Sequence, residues 1–234
     1  MSFTASIFIP QKPKGFNLTR SEKLCWYSLG ALVIYSLPML FIEKYFDYRF
    51  PQWAYYPALL IFLLNFSSYF IRITEFENLN GYFDGTISFE EDFLILNETE
   101  YKYSELENLV IYGNSFSGEK TKNYRYGPMY ANGVENLISF NHNEFKVEQY
   151  FQLNSERHLD KLQETLIHII TTEKIPYNRE YLNFINEEHR SFILFELFIG
   201  KLIKEKRIEY QDGIQLIGLN SKQAEEFKIK NCLK

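Results

Sequence analysis

Two stretches of this chain carry no charged side chain: residues 24–42 (LCWYSLGALVIYSLPMLFI) and residues 53–71 (WAYYPALLIFLLNFSSYFI), each 19 residues long. An α-helix rises ~1.5 Å per residue, so about 20 residues cross the ~30 Å hydrocarbon core of a bilayer. Both runs therefore predict a membrane-spanning helix, with the lipid bilayer as the chain's first partner. Helices buried in soluble cores are usually shorter or carry a polar stripe. Trp26, Tyr27 and Tyr45 bracket the first run, and Trp53, Tyr55, Tyr56 and Tyr69 lie towards the ends of the second. Interfacial aromatics gather at such positions. Pro38 and Pro57 are tolerated in spans. The mean hydropathy of -0.27 reads as soluble only because it averages two lipid-facing runs with a polar remainder.

A short polar break holding Glu43, Lys44, Asp47, Arg49 and Pro51 separates the runs, which predicts a transmembrane hairpin. The first run lacks a small-residue cleavage site, follows a polar arm and precedes a second run, so it does not read as a cleaved signal peptide. Lys12, Lys14, Arg20 and Lys23 precede it and Arg72 follows the second run, against Lys44 and Arg49 in the break. The positive-inside rule then predicts a multi-pass protein of the cytoplasmic (inner) membrane with both termini cytoplasmic. Cys25 and Cys232 are too few for a disulfide framework or a four-thiolate zinc site.

Beyond Arg72 the pattern changes to short strands. Residues 85–89 (GTISF) and Phe93–Leu96 flank an acidic turn, Glu90, Glu91 and Asp92. Residues 97–101 read as another turn and residues 106–112 (LENLVIY) as a further strand. Residues 136–140 and 145–153 predict a hairpin around Asn141, His142 and Asn143. Ser155 is placed to cap a helix whose Leu159, Leu162, Leu166, Ile169 and Ile170 recur on one face. The expected organisation is an α+β membrane protein: an arm over residues 1–23, the hairpin over 24–72, a strand-rich domain over 73–172 and a helical tail over 173–234.

Two spans followed by antiparallel strands and one amphipathic helix resemble the bacterial membrane proteins that carry a pleckstrin-homology-like (PH-like) domain. GTISFEEDFLIL, LENLVIY, ENLISF, FKVEQYFQLNS and HLDKLQETLIHI carry the resemblance, within residues 24–172. It implies a PH-like antiparallel β-barrel capped by a helix, serving as a binding or scaffolding module at the cytoplasmic membrane face, with no catalytic residues to carry over. PH domains that grip phosphoinositides use a basic cluster at their first strand turn, and here that turn reads as Glu90, Glu91 and Asp92. Residues 76–172 hold 7 Lys and Arg against 16 Asp and Glu, most of the acidity behind the whole chain's -5. Such a surface is repelled by anionic headgroups.

The connection over residues 113–133 (GNSFSGEKTKNYRYGPMYANG) is unusually long for a loop. Gly113, Gly118, Lys120 and Thr121 approach a phosphate-binding loop, but Glu119 stands where the lysine must follow the second glycine. Lys120, Lys122, Tyr124, Arg125, Tyr126, Met129 and Tyr130 make the loop a candidate partner-binding patch, because Tyr and Arg concentrate at interface centres. The competing reading has its tyrosines folded back over the domain. His142, His158, His168 and His189 show no metal-ligand spacing, and no GxSxG or GxGxxG is present. No catalytic, cofactor or metal residue is nominated, and the chain is not expected to be an enzyme.

Residues 178–207 read as one long helix with an apolar middle, residues 192–199, too short to span. Phe192, Phe195 and Ile199 are its candidate partner-binding residues. A short helix ending near Gly218 and a last one capped by Asn220 or Ser221 complete the tail. Residues 173–234 carry 11 basic and 10 acidic side chains, too little positive charge for a nucleic-acid partner. The expected function is a membrane-anchored scaffold or regulatory subunit that binds protein partners or itself. The alternative is a membrane sensor holding a small molecule or lipid in the barrel or between the spans. Neither span contains a charge of the kind a transporter needs.

Overall fold

The computed structural model describes residues 2–13, 15–122 and 127–231. Its strands are β1 (Phe3–Pro10), β2 (Gly81–Phe89), β3 (Phe93–Leu96), β4 (Thr99–Lys102), β5 (Glu107–Tyr112), β6 (Ser117–Lys120), β7 (Tyr130–Asn132), β8 (Asn136–His142) and β9 (Phe145–Phe151). Its helices are α1 (Arg20–Phe46), α2 (Tyr56–Arg72), α3 (Glu156–Thr171), α4 (Ile193–Lys204), α5 (Tyr210–Ile217) and α6 (Ser221–Lys230). The chain divides into a sheet unit (Met1–Pro10, Gly81–Phe116, Gly133–Lys234) and a helix unit (Gln11–Asn80, Ser117–Asn132).

The sheet unit is α+β. Its seven antiparallel strands run in the order β4-β3-β2-β1-β9-β8-β5. The central position of β1 corrects the expectation of a free arm over residues 1–23. In FTASIFIP, Phe3, Ala5 and Ile7 alternate with Thr4 and Ser6, and the apolar set is buried. That period-2 alternation is what a half-buried strand requires. β1 pairs with β2 from Phe3↔Phe89 to Pro10↔Gly81, and with β9 at Ile7↔Phe151. The chain between the first two strands is therefore the whole of residues 11–80.

This connectivity moves the acidic turn. Glu90, Glu91 and Asp92 join the second strand to the third, rather than following the first, and Lys174 pairs with Asp92 at 2.6 Å and Glu91 at 3.6 Å. Residues 97–101 are also not all turn. Asn97 and Glu98 take positive φ as a two-residue turn, and Thr99–Lys102 then pairs back onto β3 as β4. The β8–β9 turn likewise falls at Asn143 and Glu144, with Asn141 and His142 inside the ladder. Tyr101 of β4 packs on Phe140 of β8 with ring centroids 5.1 Å apart, so the sheet curls across its own face. α3 covers that face with Leu159, Leu162, Leu166, Ile169 and Ile170, as expected, against Phe89, Leu94, Ile138 and Phe151. Ser155 Oγ accepts from His158 N at its start. Each such side chain contributes about 1.5–3 kcal/mol on burial.

In the tail, the expected long helix over residues 178–207 is replaced by 3-10 turns at Arg179–Phe184 and Glu187–His189, followed by α4. Gln163, fully buried on α3, offers the backbone other partners: its Oε1 accepts from Asn186 N at 2.8 Å and its Nε2 donates to Phe184 O at 3.3 Å. Helical bonds are not needed where a side chain meets those groups. α5 ends on Gly218 at φ 74 and Asn220 caps α6, both as expected.

The helix unit pairs α1 with α2. Asn65 Nδ2 donates to Cys25 O and Ser28 Oγ, both at 3.0 Å, and Tyr35 Oη donates to Ala54 O at 2.7 Å. Thr19 and Glu22 form a capping box at the start of α1. β6 and β7 form a small ladder in residues 113–133, the connection read as irregular from the sequence. Buried Asn136 holds both feet of that connection. Its Oδ1 accepts from Asn114 N and Ser115 N at 3.0 Å, and its Nδ2 donates to Ser115 O at 2.8 Å and Gly133 O at 2.9 Å.

Candidate interaction surfaces

Most of the exposed large apolar side chains among the described residues lie on the helix pair. α1 and the helical stretch Gln52–Arg72 are long and apolar enough to cross a membrane, and only 6% and 11% of their most apolar windows are buried. Ile34, Leu37 and Leu40 of α1 and Leu60, Leu63 and Phe70 of α2 are exposed. The hydroxyls and amide turn the other way: Ser28 and Ser68 are buried, and Asn65 reaches from α2 to α1. A core helix of a water-soluble protein distributes its residues in the opposite sense.

The start of α1 is tied to the segment after α2 by Glu75. Its Oε1 accepts from Arg20 N at 2.7 Å and Ser21 N at 3.2 Å, and Ser21 Oγ donates to Oε2. Partial burial pushes the Glu75 carboxyl up, but hydrogen bonds from the Ser21 and Thr19 side chains and from the Ser21 and Arg20 N–H groups outweigh it. The carboxyl is left below its ordinary range.

The β6–β7 connection reaches the same segment. Met129 N donates to Arg72 O at 3.3 Å, Tyr130 N to Glu75 O at 3.1 Å and Glu77 N to Tyr130 O at 2.8 Å. The Tyr130 ring lies on Phe76 with centroids 5.4 Å apart. Of the loop residues singled out from the sequence, Met129 and Tyr130 are thus half-buried in a tie to the end of α2, while Lys120 and Lys122 are exposed. Tyr124, Arg125 and Tyr126 lie outside the described residues.

The apolar middle of the tail divides by face. Phe195 and Ile199 are fully buried, which corrects their assignment as partner-binding residues: with Phe198 and Leu202 they form the i, i+3, i+4, i+7 stripe of α4 that packs into the core. Phe192 remains at the edge, and the outward residues are Ile193, Leu194 and Leu197, which the sequence reading did not single out. Because that run is apolar nearly all round, only the phase of the buried stripe could have revealed them. The end of α4 is anchored by Glu173, which meets Lys201 Nζ at 2.7 Å and Arg207 Nη1 at 2.5 Å.

No metal-binding group of His, Cys, Asp and Glu occurs among the described residues. The histidines hold local structure. His158 Nδ1 accepts from Asn154 N, so its Nε2–H donates to Thr4 O at 2.9 Å and links α3 to β1. His189 Nε2 meets Asp160 Oδ1 at 3.0 Å, with its ring edge-on to Phe192. Comparison of the chain with protein-family models, with curated proteins and with solved structures returned no match.

Proposed function

We propose that the chain is a membrane-anchored scaffold or regulatory subunit: α1 and α2 cross the bilayer as a hairpin, and the sheet unit with its tail presents a surface to protein partners. The observation that carries this reading is the outward exposure of the apolar side chains of the helix pair. Connectivity supports the hairpin independently of hydropathy. β1 precedes α1, β2 follows α2, and the two strands pair at Pro10↔Gly81, so both ends of the helical segment belong on one side of the bilayer. The Lys and Arg distribution supports a cytoplasmic placement of that side. Seven antiparallel strands followed by a covering helix also support the PH-like reading, with the helix pair inserted between its first two strands.

Phe192, the N-cap of α4, and Ile193, Leu194 and Leu197 on α4 form the protein-docking face, exposed apolar residues of the kind found at interface centres. Alkaline carbonate extraction should leave the protein in the membrane pellet, and release into the supernatant would overturn the anchor. A photo-crosslinking amino acid at Leu194 or Leu197 should capture a protein in cells, whereas the same probe at exposed Lys222 should not. Equal capture at both sites would remove α4 as the docking face.

A further inference from the structure

We infer that the sheet unit binds a free α-amino acid with a neutral side chain, in an open cleft between the 3-10 turns of the tail and α5. The inference goes beyond the scaffold reading and stands without it, because every residue it uses belongs to the sheet unit. The cleft has a volume of about 410 Å³, within the range of small-ligand sites. One wall comes from the turns Arg179–Phe184 and Glu187–His189 and the Arg190 that follows them. The other is a face of α5, with Asp212, Gln215 and Leu216 at i, i+3 and i+4. Both walls are held in place. Gln163 bonds Phe184 O and Asn186 N, and Gly213 lets α5 sit close on α4, where a Cβ would lie 2.7 Å from Ile203 Cδ1.

The groups that the lining leaves unpaired define the ligand. Arg179 Nη2 already meets Asp212 Oδ2 at 2.6 Å, so those two charges cancel. Arg190 donates Nε to Ile185 O at 2.9 Å, which fixes the guanidinium and leaves its terminal nitrogens unpaired among the described residues. The side chains of Asn183, Glu187 and Gln215 are exposed and have no hydrogen bond or ion pair among the described residues. Glu187 and Arg190 stand at i and i+3 without pairing with each other. The cleft thus presents one open carboxylate and one open guanidinium, with two carboxamides and Leu216 beside them. A guanidinium takes a carboxylate in bidentate fashion, and a carboxylate takes a primary ammonium through charge-assisted hydrogen bonds. An α-amino acid carries both groups on one carbon and bridges Glu187 and Arg190 while bringing in no net charge. A phosphate or dicarboxylate meets Glu187 as an unmatched like charge, and a diamine meets Arg190 in the same way. Each carboxamide both donates and accepts, so Asn183 and Gln215 suit a neutral polar side chain rather than a third charge.

Isothermal titration calorimetry of the full-length protein in mild detergent tests this with L-glutamine as the probe. Saturable binding to one site is expected. It should be about tenfold or more tighter than binding of N-acetyl-L-glutamine, which lacks the ammonium, or of L-glutaminamide, which lacks the carboxylate. L-glutamate and L-lysine, each with an added charge, should bind severalfold more weakly than L-glutamine. Glu187→Gln should leave the thermal midpoint unchanged, since that side chain holds nothing in the fold, and should erase the preference over N-acetyl-L-glutamine. Gln215→Ala should weaken L-glutamine severalfold while keeping that preference. The absence of saturable binding, equal affinity for the free and blocked compounds, or an unchanged preference in Glu187→Gln would each overturn the assignment. Tighter binding of inorganic phosphate than of L-glutamine would make Arg190 a simple anion site and overturn it as well. A failed titration with protein that still pellets on carbonate extraction leaves the anchor and the scaffold reading standing.

Discussion

The sheet unit and the helix unit arrange the same kinds of residue in opposite senses. In the sheet unit, Phe89, Phe140 and Phe151 are fully buried, and charged residues such as Lys102 and Lys146 are exposed. In the helix unit, Ile34, Leu60 and Phe70 are exposed, and Ser28, Ser68 and Asn65 supply the internal contacts. The first arrangement follows from removing apolar area from water. The second follows where the surroundings are themselves apolar, because polar groups then gain most by meeting each other.

That contrast can be broken in several ways. The largest effect is expected for Phe151→Ala, a loss of about 3–5 kcal/mol in denaturant unfolding of the sheet unit. Leu60→Ala on the outward side of α2 should instead stay within about 0.5 kcal/mol in the detergent-solubilised protein. A comparable loss at both positions would mean that α2 packs against protein. Leu60→Lys should cost about 2.5–3.5 kcal/mol of insertion free energy in a translocon-insertion assay, and unaltered integration would count against a span. Asn136→Ala leaves two backbone N–H groups without their acceptor and should cost about 2–3 kcal/mol, with faster proteolysis in residues 113–133.

Smaller changes sharpen the helix unit. Asn65→Val removes the bonds to Cys25 O and Ser28 Oγ and should weaken helix pairing by about 0.6–2 kcal/mol, seen as a lower thermal midpoint in detergent. The smallest effect concerns Glu75, whose folded carboxyl titrates below its ordinary range. Its contribution is therefore fully present above the unfolded-state pKa and is lost as pH falls through the lower folded value. Glu75→Gln should lower the midpoint at neutral pH and match the wild type once the wild-type Glu75 carboxyl is protonated. A difference that persists in acid would mean that the carboxylate charge is not what holds the start of α1.

The parts of this fold legible in sequence are those whose signal is local. Absence of charge over residues 24–42 and 53–71 needs no partner to interpret, and the same holds for the α3 stripe from Leu159 to Ile170 and the caps at Ser155 and Asn220. β1 was missed because eight alternating residues ahead of a strong apolar run resemble a polar arm until a partner strand 70 or more residues later claims them. The tie between Tyr130 and Phe76 has no local signature either, since it joins two separate excursions of the chain from the sheet. On α4 the difficulty was an excess of signal: Phe195 and Leu194 are equally apolar, and only packing on α3 and α5 decides which one is covered.

The central position of β1 carries a consequence for biosynthesis. The strand leaves the ribosome before either of its partners: β2 follows only after α1 and α2, and β9 after most of the sheet. At ~5–20 residues per second, translating residues 11–80 alone takes about 4–14 s, during which β1 has no partner strand. Where α1 and α2 cross a bilayer, their insertion is then a step within the folding of the sheet unit, rather than an event that follows it. For the same reason, a water-soluble fragment begun after Arg72 would lack its middle strand and leave Ile87, Phe89 and Phe151 without their cover.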